Sequence, residues 1–245
     1  MAGHSKWSNI KHRKAGQDAK RGKLFTKIIR ELTIAARDGG GVVEDNPSLR
    51  TIVDKAKSAQ MPKDTMERAI QRGAGGLDGG DLTSLSYEGY GPAGVAVLVE
   101  TVTDNKNRTV AEVRHAFDRS GGNLGTNGSV AYMFDKKGQI HFEPGTDEDA
   151  IMEIAIESGA DDVEAYEDGS IEVLTSAEDF LAVKDALVAG GFEPANAEIA
   201  MVPQNYTLLD AASSEKVIRL LENLEDLDDV QNVYMNAQFA EDLEE

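Results

Sequence analysis

The run Gly73-Ala74-Gly75-Gly76-Leu77-Asp78-Gly79-Gly80 divides this chain into two stretches whose apolar residues recur with different periods. Glycine loses the most backbone freedom on ordering, so neither a helix nor a strand should pass through such a segment. Before it the pattern is helical. From Lys23 to Arg37, Leu24, Phe25, Ile28, Ile29, Leu32, Ala35 and Ala36 fall on one side of a wheel turned by about 100° per residue. Lys23, Lys27, Arg30 and Arg37 gather in an arc of about 80° opposite them, with Ile34 the one apolar intruder. Gly39, Gly40 and Gly41 should end this helix, and Asn46 followed by Pro47 reads as the cap and first residue of a second, striped by Leu49, Ile52, Val53 and Ala56. Pro62 interrupts it. Asp64 and Glu67, spaced as in a capping box, open a third helix bearing Met66, Ala69 and Ile70 and closed by Gly73. A basic arm and small helical domain over residues 1–76 is the expectation.

Beyond the glycines, strands are predicted over 95–102, 129–134, 139–142, 171–174, 198–202 and 230–235, with helices over 109–119, 147–158, 177–189 and 214–224. Between 137 and 202 the order strand, helix, strand, strand, helix, strand matches the split βαβ arrangement of a ferredoxin-like fold. The predicted class is therefore α+β: an N-terminal small helical bundle followed by two α/β modules. Residues 137–202 form a ferredoxin-like insert within a discontinuous α/β domain made of 83–136 plus 203–245.

The 245 residues carry a formal charge of −19, which by itself opposes contact with a phosphate backbone. The average conceals an asymmetry. Residues 1–37 hold ten Lys/Arg against two acids, residues 38–76 balance six against six, and residues 77–245 carry nine basic against 36 acidic side chains. Screening confines each field to about 8–10 Å at physiological salt, so a polyanion at the front end would feel mainly the local cations. No run of about 18 apolar residues and no signal-like apolar block follows the basic start, so a soluble, cytoplasmic protein with no membrane association is expected. Zero cysteines exclude disulfides, thiol catalysis and thiolate zinc sites.

The segment Lys6, Trp7, Lys11, His12, Arg13, Lys14, Lys20, Arg21, continuing into Lys23, Lys27, Arg30 and Arg37, combines cations for phosphates with one indole that can stack on an unpaired base. These twelve are the candidate nucleic-acid contacts; a solvated tail or transit peptide is the bland alternative. Asp104 to Thr109 leads from a strand into a helix and could face an anion through Lys106, Arg108 and Arg114, or could simply cap that helix. Glu112 and His115 have metal-helix spacing but no second such pair, so a surface His is expected. Gly121 to Gly128 lacks a P-loop ending and reads as a turn, as does Tyr87 to Pro92; the acidic positions Asp147, Glu148, Asp149, Asp161, Asp162, Asp226, Asp228 and Asp229 read as solvated surface. No catalytic constellation, metal site or cofactor is predicted.

On Ala2-Gly3-His4-Ser5-Lys6-Trp7, Lys20-Arg21-Gly22-Lys23, Tyr87 to Pro92, Asp104 to Thr109 and Gly121 to Phe134, the chain resembles the YebC-type family of probable transcriptional regulatory proteins, which includes the mitochondrial translational activator of cytochrome c oxidase. The resemblance spans nearly the whole chain. It implies a cytoplasmic, non-enzymatic protein with an N-terminal helical domain and two α/β domains, acting on gene expression through DNA or, for some relatives, the ribosome. The expectation is a nucleic-acid-binding regulator, with DNA as first target and ribosomal RNA as the alternative. A scaffold whose acidic modules engage a basic protein partner is the alternative of another class; a hydrolase or nuclease is the third.

Overall fold

The structure is a computed structural model that describes residues 18–75 and 82–240, with side chains from Gly22 onward. Its described residues divide into two compact units, one holding those before Phe134 together with those from Asn205, the other Phe134–Gln204.

In the first unit, α1 (Asp18–Gly39), α2 (Pro47–Ser58) and α3 (Lys63–Gly75) pack their apolar stripes together: Ile28, Leu32, Ala35 and Ala36 meet Leu49, Val53 and Ala56 of α2 and Met66 and Ala69 of α3. Gly40, at φ +88°, takes the left-handed conformation that stops α1. Buried Asn46 joins two helices at once. Its side-chain oxygen accepts from Leu49 N at the start of α2, while its Nδ2 donates to Ala35 O and Gly40 O at the end of α1, each at 2.8 Å. One residue thus satisfies orphan groups at both termini. Gly73 does not close α3, which runs on to Gly75; it is buried where a Cβ would overlap the Thr33 carbonyl, so its role is close approach of α1 and α3.

The same unit contains β1 (Thr83–Tyr90), β2 (Ala96–Thr103), α4 (Lys106–Arg119) and β3 (Asn123–Leu124). A four-stranded antiparallel sheet of order β3-β1-β2-β9 is completed from the far end of the chain, where β9 (Val230–Met235) follows the second unit. The expected turn at Tyr87 to Pro92 is corrected: Tyr87–Tyr90 pair with β2, and only Gly91 to Gly94 turn, with Ala93 at φ +58°. The expected strand over 129–134 is also corrected. Residues Ala131–Met133 form one 3-10 turn because the Glu88 carboxylate takes the N–H groups of Gly128, Val130 and Ala131, which a sheet would need.

The second unit runs β4 (Phe134–Phe142), α5 (Glu148–Ser158), β5 (Asp162–Ala165), β6 (Ile171–Ser176), α6 (Phe180–Ala189) and β7 (Asn196–Pro203). Its sheet order, β5-β6-β4-β7 with every neighbour antiparallel, is the ferredoxin-like arrangement. Ile140, Phe142, Ile171 and Val173 of the sheet bury against Ile151 and Ala155 of α5 and Phe180, Val183 and Leu187 of α6. Asp147 caps α5 by accepting from Ala150 N, and Gly159 at φ +101° ends it.

Returning to the first unit, the chain forms β8 (Thr207–Leu208), α7 (Ala211–Glu225), β9 (Val230–Met235) and β10 (Ala237–Gln238). Val113 and Phe117 of α4 and Val217, Leu220, Leu221 and Leu224 of α7 cover Val97, Val99, Val230 and Val233 of the sheet and Val95 just before β2. The α+β class, with a helical bundle followed by two α/β modules, one within the other, is the fold observed.

Candidate nucleic-acid interface

The cationic arc of α1 faces protein. Lys23 Nζ donates to Asp226 Oδ1 and to the Asp226 carbonyl, both at 3.1 Å, and Lys27 Nζ donates to the Glu225 carbonyl at 3.0 Å. Arg30 Nη1 reaches the carbonyls of Val102 and Asp228 and Asp229 Oδ1, the last at 3.0 Å; Arg37 reaches Leu82 O at 2.6 Å and Asp38 at 2.8 Å. Glu225 and Asp226 end α7, whose last carbonyls lack helical N–H donors and carry the negative end of its dipole. Four cations in one arc thus dock the helical bundle onto the end of α7, the segment that follows it, the residue before β1 and the end of β2.

Asp229 is the centre of this contact. Its side chain is 2% exposed and accepts from Arg30 on Oδ1 and, on Oδ2, from Arg108 Nη2 at 2.7 Å, Thr103 at 3.0 Å and Thr109 at 2.8 Å. Burial alone would raise its pKa, but the hydrogen bonds from Arg108, Thr109 and Thr103 and the Arg108 charge outweigh it and hold the carboxyl below its ordinary value. The Tyr87 hydroxyl is raised by burial and by the Asp229 charge. Asp229 is thus corrected from the solvated surface expected of the acidic positions; Asp226 and Asp228 are exposed as expected.

At the start of α4 the sequence left capping and anion binding open, and the structure shows the cap. Asn105 accepts from Arg108 N as the cap, and the anion beside that turn is the chain's own Asp229. Hydrogen bonds to Asp229 and Asp104 raise the Arg108 pKa further, so this cation is spent internally. Lys106, Arg114, Glu112 and His115 are exposed on α4. No metal-binding group of three His, Asp or Glu exists among the described residues.

A second carboxylate missed by sequence reasoning is Glu88, 5% exposed, which accepts from Gly128 N at 2.6 Å and from Val130 N and Ala131 N at 2.7 Å. Burial pushes its pKa up, yet these backbone donors prevail and lower it. The N–H groups of Gly128, Val130 and Ala131 thus form an anion cradle that the chain's own carboxylate fills, and Tyr90 Oη pins the same loop by donating to Ser129 O at 2.9 Å. A nearby cleft of about 730 Å³ is lined by Arg119, Lys216, Arg219 and Glu222, but Arg219 pairs with Glu215 and the carbonyl end of α4 closes one side, so its positive charge is largely offset.

Lys6, Trp7, Lys11, His12, Arg13 and Lys14 lie outside the described residues; Lys20 and Arg21 stand on the first turn of α1, and their side chains are also outside. No helix among the described residues is long and apolar enough to cross a membrane.

Two family models match the chain: the TACO1/YebC protein N-terminal domain over residues 5–76, and the TACO1/YebC second and third domain over 82–237. A probable transcriptional regulatory protein of Hahella chejuensis is 64% identical over 99% of this chain and 98% of its own length. The transcriptional regulatory protein PmpR of Pseudomonas aeruginosa is 60% identical over the same shares. The crystal structure of a conserved hypothetical protein of Aquifex aeolicus superposes with a TM-score of 0.83 at 45% identity, covering 92% of this chain and 93% of that one.

Proposed function

This chain belongs to the TACO1/YebC family, and on that premise we propose that it is a non-enzymatic, cytoplasmic, nucleic-acid-binding regulator of gene expression whose front end grips the phosphate backbone. The observation that carries the reading is the segregation of charge: a net +8 over residues 1–37 on a chain of −19. Docking consumes Arg30, Arg37 and Arg108, so the phosphate contacts fall to Lys6, Lys11, Arg13, Lys14, Lys20 and Arg21, with His12 among them in sequence and Trp7 as the ring that stacks on a base. Lys106 and Arg114 are exposed and offer a lesser second contact. The acidic modules repel a polyanion elsewhere and so confine it to this end.

DNA is the first target, in keeping with the relatives' names as transcriptional regulators; ribosomal RNA is the alternative. Crosslinking in cells followed by sequencing of the bound strands decides between them: enrichment of chromosomal fragments supports DNA, enrichment of ribosomal RNA supports a role in translation. Recovery of neither, with capture of a basic protein instead, overturns the reading.

A further inference from the structure

The contact between α1 and the Glu225–Asp229 segment is graded. At its inner end Arg30 and Asp229 are 20% and 2% exposed as side chains; at its outer end Lys23 and Asp226 are 47% and 79% exposed. Opening the inner pair strands a buried carboxylate, whereas both members of the outer pair are already hydrated and gain little from one another. The outer end offers these lysines negatively charged and polar oxygens, as a phosphate backbone would: a carboxylate and two helix-terminal carbonyls at 3.0–3.1 Å from Lys23 and Lys27 Nζ, with the Asp228 carboxylate close behind in sequence. A phosphodiester strand supplies stronger anions at similar reach and releases a counterion for each one neutralised.

We propose that the end of α7 and the acidic segment after it form a built-in competitor for nucleic acid: they occupy Lys23 and Lys27 in the free protein, and a bound strand takes both lysines while Arg30–Asp229 stays closed as the pivot. This rests on the nucleic-acid reading above and adds to it an internal anion that weakens binding to any strand unable to displace it. Lys23 and Lys27 lie on the same helix as Lys20 and Arg21, one and two turns further on, so a strand held by the arm meets them next.

The test uses the full chain and a fluorescent single-stranded RNA and a DNA duplex, each about twenty nucleotides long, with affinity read by anisotropy across a salt series. Asp226→Asn combined with Asp228→Asn should tighten binding about three- to fivefold and steepen the logarithmic salt slope by about one, as Lys23, released from the Asp226 carboxylate, meets a phosphate. A control of equal charge change on exposed residues of the same unit away from these cations, Glu44→Gln with Asp45→Asn, should move affinity less than twofold. In the Asp226→Asn, Asp228→Asn background, Lys23→Gln should cancel most of the gain. Equal effects of the two double variants, or a gain that survives Lys23→Gln, overturn the competitor while leaving the nucleic-acid reading intact. Absence of binding by the parent and every variant overturns both.

Discussion

Replacing Asp229 by asparagine keeps its shape and removes its charge. The carboxylate is 2% exposed and faces Arg30, Arg108, Thr103 and Thr109 within about one hydrogen-bond length. Losing one partner of a fully buried ion pair costs about 3–5 kcal/mol, and because the Arg30 and Arg108 side chains remain 20% and 42% exposed and can rehydrate, the expected cost here is about 2–3 kcal/mol. For a unit of this size that lowers the midpoint of thermal unfolding by about 5–10 °C. Urea unfolding followed by circular dichroism measures it, with Asp226→Asn as the paired control. That residue is 79% exposed, so its ion pair should contribute under about 1 kcal/mol. Linkage gives a second signature. Because the Asp229 carboxyl titrates lower when folded than when unfolded, its stabilisation is complete above the unfolded value of about 4 and drains away as pH falls through the folded one; Asp229→Asn should flatten that acid limb. Parent-like stability of Asp229→Asn, or equal losses from both variants, would refute the reasoning.

Glu88→Gln should cost about 2 kcal/mol, the range for hydrogen bonds to a charged acceptor, and amide exchange of Gly128, Val130 and Ala131 should quicken; unchanged exchange would contradict the cradle. Gly73→Ala forces a methyl onto the Thr33 carbonyl and should destabilise the helical bundle by about 1–3 kcal/mol despite alanine's better helix propensity, as unfolding curves will report. Burial, with the neighbouring Glu164 charge, raises the pKa of Glu172 against the opposing hydrogen bond from Tyr166, so the second unit should lose stability as pH rises above the unfolded value of about 4. Glu172→Gln should remove that loss while keeping acceptance from Tyr166; a pH dependence equal to the parent's would contradict it.

The elements whose apolar residues recur with a clear period were legible. The wheel of α1, the Asn46-Pro47 start of α2 and β9 at residues 230–235 stand where the sequence puts them. β1 escaped because Thr83-Ser84-Leu85-Ser86-Tyr87-Glu88-Gly89-Tyr90 looks like a turn by composition and becomes a strand only through pairing with β2. β5 was counted in the predicted order of the second unit but given no bounds, because its four residues are mostly exposed. At the site, the wheel correctly grouped Lys23, Lys27, Arg30 and Arg37 but could not say what the arc faces, since a period reports a direction and not a neighbour. Asp229 was hidden among exposed acids for the same reason. Its burial depends on Arg30 and Arg108, which lie 199 and 121 residues away, and nothing local marks it. Glu88 was hidden by distance too, its donors lying some forty residues on.

The central claim is that the cationic front end binds a polyanion, and its most direct measurement is the salt dependence of RNA and DNA affinity for the parent and for Lys6→Glu, Lys11→Glu, Arg13→Glu, Lys14→Glu combined. The account predicts a steep logarithmic slope for the parent, reduced by about 3 in the variant, with affinity at low salt lower by at least tenfold. A parent affinity that ignores salt, or a variant that binds as tightly as the parent, would contradict it.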